Sequence, residues 1–220
     1  KGLAATVIQS PIIDGYRTLY QDGVHYDQGW YGTPALYQQI DATPPTLNDS
    51  AEYWLSTVKG TNPFCYVVNV ALQTLNMDAD VDFWRERDLP GARGSDVPVL
   101  WSHGFLDANT KPDNFLPVWE TLKGPRRAWF GQFAHVRPQD REKGGKGPGA
   151  SIGREGFIDE AMRWLDRYVA GLPARVEDDP AVEVEDGATM KYRAEAAWPP
   201  ADASRFTLPV RDATTFNVLG

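Results

Sequence analysis

Two short apolar runs, each ending on a chemically active side chain, constrain this chain more than any other feature. Val97-Pro-Val-Leu-Trp-Ser-His-Gly-Phe-Leu-Asp107 is mostly apolar through its centre and closes on a glycine and a carboxylate. Arg127-Ala-Trp-Phe-Gly-Gln-Phe-Ala-His135 has the same form and closes on an imidazole. Short apolar runs without strict alternation are the mark of strands buried on both faces. Between them Pro112 to Leu122 predicts a helix, with Phe115, Leu116, Trp119 and Leu122 on its apolar face. Strand, helix, strand predicts a parallel sheet. Asp107 and His135 then fall at strand carboxyl ends, the side of such a sheet where ligands bind.

The rest of the chain extends this pattern. Leu3 to Ile8 predicts a buried parallel strand that Ser10-Pro11 punctuates, so Asp14-Gly-Tyr16 also lies at a strand carboxyl end. Asn48-Asp-Ser50 predicts a helix start, and Pro63 to Leu75 a further helix with Phe64, Val67, Val68, Ala71 and Leu75 on one face. Asp80 to Asp88 is charged around Phe83 and Trp84. Residues 28–92 therefore predict a largely helical insertion between strands. Phe157 to Ala170 predicts a helix with Phe157, Ile158, Met162, Leu165 and Val169 near a 3.6 period, closed by Gly171. Beyond Asp178-Asp-Pro180 short alternating runs (Val182, Val184, Met190, Tyr192, Phe206, Leu208) predict the start of a separate β domain. The expected division is 1–177, an α/β portion, and 178–220, the beginning of a β-sandwich.

Composition narrows the function. With 220 residues, 42% hydrophobic, the chain can bury a substantial core, and a net charge of -8 argues against nucleic acid as a partner. No apolar run approaches the ~20 residues of a membrane span, so a membrane is not expected as a partner either. The expected protein is soluble, in the cytoplasm or secreted. The single Cys65 excludes an internal disulfide and reads as a buried small hydrophobe. Three scattered histidines give no metal-ligand spacing, and Asp107-x-Asn109-x-x-x-Asp113 lacks the glycine and glutamate of a calcium loop, so no metal or cofactor is expected.

Asp107 and His135 suit the acid and base of a nucleophilic triad: the carboxylate orients the imidazole, which takes and returns the nucleophile's proton. The competing role for Asp107 is a turn or cap before the helix near Pro112. His103, within its strand, reads as a packed histidine; His25 could line a pocket or face solvent. Asp followed by His at successive strand ends is the second half of the Ser…Asp…His order of α/β-hydrolases. No G-x-S-x-G elbow precedes them. Ser102 is too close to Asp107 to meet His135 from an elbow, and Ser10 lacks flanking glycines.

Pro98 to Asp107, Gly131-Gln-Phe-Ala-His135, Ala161 to Gly171, Asp82 to Arg87 and Trp198-Pro-Pro200 together resemble the Xaa-Pro dipeptidyl-peptidase and cocaine-esterase-like hydrolases. The resemblance covers nearly the whole chain in order. It implies the carboxyl-side part of an α/β-hydrolase with a helical cap and the start of a jelly roll. It implies Asp107 as triad acid and His135 as base. It also implies Asp14, Tyr16, Phe83 and Trp84 bordering the acyl or amine pocket. The carboxylates Asp14, Asp22 and Asp27 suit either binding of a substrate amine or a solvated surface. The nucleophilic serine and the oxyanion tyrosine would lie upstream. The absent initiator methionine and the abrupt last residues fit a piece of a longer protein. The expected partners are a small-molecule or peptide substrate and the upstream part of the same protein, and the chain by itself is expected to be inactive. A non-catalytic binding module with the same fold is the alternative; a hydrolase using aspartate as nucleophile is weaker, because that residue would precede this chain.

Overall fold

The computed structural model describes residues 2–21, 23–25, 46–60, 64–89, 92–135, 156–204 and 207. Asp22, Asp27, Phe206, Leu208 and the side chain of Cys65 lie outside what is described.

A five-stranded mixed sheet organises the chain. β1 (Thr6–Gln9), β4 (Val99–Gly104), β5 (Arg126–Gly131), β6 (Val182–Glu185) and β7 (Tyr192–Glu195) lie side by side in that order. The first four are parallel and β7 returns antiparallel. β2 (Tyr20–Gln21) and β3 (Val24–His25) form a separate small hairpin.

All six residues of β4 are buried. Alternate side chains feed two cores. Val99, Trp101, Ala128, Phe130, Val182 and Val184 pack on one face with Phe115, Val118 and Trp119. Leu100 and Trp129 pack on the other with Phe157 and Trp164.

The predicted helix at 112–122 is broken. A 3-10 turn at Pro112–Asn114 precedes a single α turn, α5 (Leu116–Trp119). Pro117 lacks the N–H that a helix continuing from Pro112 would use. The helices α2 (Ala51–Gly60), α3 (Phe64–Leu75) and α4 (Asp82–Arg85) fall inside the predicted helical insertion, and α1 (Gly15–Leu19) precedes it. The Ser50 hydroxyl accepts from the Tyr53 N–H and caps α2, inside the predicted Asn48–Ser50 start. The apolar positions Val67, Val68, Ala71 and Leu75 of α3 are exposed, so its periodicity marks a helix without marking a buried face.

α6 (Phe157–Leu165) continues into a π-helical turn at Asp166–Ala170 and stops at Gly171, which is left-handed. Its inward side differs from the predicted one. Phe157, Glu160 and Trp164 are buried, whereas Ile158, Met162 and Val169 are exposed. Glu160 turns inward because the Arg127 guanidinium and the Trp129 indole N–H both donate to it.

The expected boundary at 178 is corrected over 182–195. β6 pairs with β5, Ala128 opposite Val182, and Val182 and Val184 complete the Trp101–Phe130 core. Trp198 packs on Phe105 and Phe130, so this segment also closes over the same core. An alternating run is half-buried in any sheet, and alternation does not say which strand it will pair with.

Candidate functional site

Parallel pairing of β4 and β5 brings their carboxyl ends together, and the two following loops are joined by backbone hydrogen bonds. The Phe105 N–H donates to the Gly131 carbonyl (2.8 Å) and the Leu106 N–H to the Phe133 carbonyl (3.0 Å). This approach requires glycine at 104: a Cβ there would lie 2.0 Å from the Phe133 carbonyl oxygen.

Asp107 is 2% exposed at the end of the first loop. Its Oδ1 accepts from the Asn109 and Thr110 N–H groups, both at 2.9 Å. Its Oδ2 accepts from the Thr110 hydroxyl at 2.7 Å and lies 2.9 Å from Nδ1 of His135. The Asp107 carboxylate therefore closes a turn and also contacts the imidazole. Burial pushes the Asp107 carboxyl up, but the Thr110 N–H and hydroxyl and the contact with His135 outweigh it and hold it below its ordinary value. The His135 side chain is 49% exposed. With Nδ1 turned to the carboxylate, Nε2 is the nitrogen left for chemistry.

Around this pair lie groups that the sequence did not single out. Lys111 is buried, and its ammonium donates to the carbonyls of Thr18 (2.7 Å) and Arg17 (3.3 Å), tying the Asp107 loop to the end of α1. Glu185 on β6 accepts from the Gln132 N–H at 2.9 Å, steadying the path to His135. Thr110, three residues beyond Asp107, had a local signal in turn spacing. Glu185 had none, because the alternation of β6 does not name β5 as its partner. An opening of about 600 Å³ lies over Phe105 to Ala108 and Lys111 to Asp113.

His103 sits inside β4, 1% exposed, packed on Phe115 and 3.9 Å from Asp107 Oδ2. It is the packed histidine the sequence predicts. Burial pushes it down to about 4 despite the neighbouring carboxylate. The unfolded chain, with an ordinary histidine near 6.5, takes up a proton that the fold refuses. Stability therefore falls as pH drops from about 6.5 through about 4, by up to a few kcal/mol. The Asp107 contribution is lost only at lower pH, as pH falls through its own depressed value. Urea midpoints measured across pH 4–6.5 should show this slope, and His103→Gln should flatten it.

The other candidate residues gather behind α1. Asp14 caps α1 by accepting from the Arg17 N–H at 2.9 Å. Asp14, Tyr16, Tyr20 and Trp84 border a cavity of about 330 Å³ that Arg17, Asp80, Arg85 and Asp88 also line. The Tyr16 and Tyr20 rings stack at 4.8 Å, and both meet Trp84 edge-on. Phe83 packs against Trp84 and under the Arg87 guanidinium and is not among the lining residues. His25 packs edge-on against Tyr20. Ser102 is buried within β4, as expected of a residue that is not an exposed nucleophile. No described helix is long and apolar enough to cross a membrane.

Comparison with known proteins places this chain in a family. The chain is 26% identical over 108 residues to a putative Xaa-Pro dipeptidyl-peptidase of Bacillus cereus, covering 47% of this chain and 16% of that protein. Its fold is similar to the crystal structure of an aminopeptidase from a marine sediment archaeon, Thaumarchaeota archaeon, with a TM-score of 0.60 and 18% identity over 89% of this chain and 35% of that one. It is also similar to a CocE/NonD family hydrolase from Staphylococcus aureus, with a TM-score of 0.58 and 13% identity over 90% of this chain and 31% of that one. The chain thus spans about a sixth of the curated relative and about a third of each solved neighbour. The family described as X-Pro dipeptidyl-peptidase (S15 family) matches residues 1–137, which include β1, β4, β5, Asp107 and His135, and this chain belongs to it.

Proposed function

We propose that this chain supplies the acid and base of a serine hydrolase that cleaves an amide or ester bond, with the nucleophilic serine contributed from outside the 220 residues. The observation that carries the reading is the 2.9 Å contact between a buried Asp107 carboxylate and a half-exposed His135 imidazole at adjacent strand ends. In the reaction, Nε2 of His135 takes the serine proton as the hydroxyl attacks the carbonyl, and Asp107 stabilises the imidazolium through Nδ1–H. His135 then protonates the leaving group, and water resolves the acyl-enzyme by the same route. The helices between 51 and 85 act as the cap. Asp14, Tyr16 and Trp84 border the substrate, with Phe83 setting the position of Trp84. Membership of the X-Pro dipeptidyl-peptidase family supports a dipeptidyl or related acyl substrate.

The test uses the full-length protein that carries this segment. A fluorophosphonate probe should label it on a serine outside these residues, and His135→Ala should slow labelling by several hundredfold or more. Labelling of a residue within the chain, or undiminished labelling of His135→Ala, rejects the reading.

A further inference from the structure

We propose that Thr110 is a positioning residue of the proposed triad, its hydroxyl setting how Asp107 presents Oδ2 to His135. The inference rests on the triad reading and adds a group to it. The two oxygens of Asp107 are held differently. Oδ1 is fixed by two backbone N–H groups that no side-chain substitution removes. Oδ2 has one hydroxyl partner, Thr110 Oγ1 at 2.7 Å, besides His135 Nδ1 at 2.9 Å. Thr110 is itself only 4% exposed, so water cannot readily take its place.

The same hydroxyl lies 3.5 Å from His135 Nδ1. A hydroxyl can donate or accept. While it donates to Oδ2 it cannot direct that proton at the imidazole, and the imidazole is left to donate its own Nδ1–H to the carboxylate. That is the tautomer with Nε2 free to act as base. His103 offers no substitute, because its Nε2 is 3.9 Å from Oδ2. The Thr110 hydroxyl thus fixes where Oδ2 points and shares its negative charge, a role carried by one oxygen atom rather than by the bulk of the side chain.

The experiment compares Thr110→Val, Thr110→Ser and His135→Ala in the full-length protein. Thr110→Val keeps the shape and removes the oxygen. It should lower kcat about tenfold with KM little changed. Thr110→Ser, which restores the hydroxyl, should recover most of the loss. The low-field proton signal of the His135–Asp107 bond should move downfield in Thr110→Val, because Oδ2 then has a single strong donor, and should return in Thr110→Ser. Equal losses in Val and Ser, or an unmoved proton signal in Thr110→Val, overturn the role of the hydroxyl. If His135→Ala is as active as the wild type, the triad reading fails first and this inference falls with it.

Discussion

Asp107→Asn is expected to lower kcat of the full-length protein by roughly 10⁴-fold while leaving the fold intact. The direction follows from how the carboxylate is held. The Asn109 and Thr110 N–H groups donate to Oδ1, so an asparagine places its amide oxygen there. The NH₂ then occupies the Oδ2 position, 2.9 Å from His135 Nδ1, and donates to it. His135 must accept at Nδ1 and carry its proton on Nε2, where the base should be free. A near-isosteric change thus imposes the wrong tautomer. Steady-state kinetics on a chromogenic dipeptidyl or acyl substrate measure the loss, and an unchanged thermal midpoint shows that folding is not its cause. Retention of more than about a tenth of wild-type kcat would mean that Asp107 does not serve as the acid.

The second large effect is on stability and lies at the other end of β5. Arg127 is 5% exposed on β5, with its guanidinium donating to Glu160, to the Pro180 carbonyl and, at 2.8 Å, to Glu183. It ties α6 and β6 to β5. Arg127→Met fills similar space but leaves the Glu160 carboxylate, 6% exposed, without its cation. Breaking a buried pair from one side costs about 3–5 kcal/mol. Urea unfolding should register a loss of that size. Adding Glu160→Gln should recover much of it, since a neutral amide can still accept from the Trp129 indole, which lies 3.0 Å from Oε1 in the native chain. If the double variant is no more stable than Arg127→Met, the network contributes through shape and not through charge.

The two effects fall on separate parts of one scaffold. β5 carries both, with Arg127 near its start and the path to His135 at its end. Glu160 and Glu183 bind the near end; Glu185 and the Gly104–Phe133 approach bind the far end. A variant that loosens Arg127 should therefore lower stability well before it alters the Asp107–His135 contact.

How much was legible in advance varies by element. β4 and β5 were readable because a strand buried on both faces must be apolar along its length, and that pattern is local. The placement of Asp107 and His135 beyond adjacent strand ends was readable for the same reason; that the Asp107 side chain is buried and only His135 reaches solvent was not. The site in the 28–92 region was readable only in part: helices were expected there, but the exposure of Val67, Val68 and Leu75 shows that apolar spacing does not name a partner. The inward face of α6 was misread because Glu160 counts as polar until its partners Arg127 and Trp129 are known.

What the sequence by itself determined is the pair of buried strands β4 and β5, their parallel connection and the Asp107 and His135 side chains beyond their ends, because burial and chain order leave their trace in local composition; β1, also expected to be buried, is only half-buried. What only the tertiary structure decided is pairing. It put β6 beside β5 and not in a second domain, turned Glu160 inward, and set the Thr110 hydroxyl on Asp107 Oδ2. A partner brought in from elsewhere in the chain leaves no local mark, and hydrogen bonds and ion pairs depend on positions to within a fraction of an ångström.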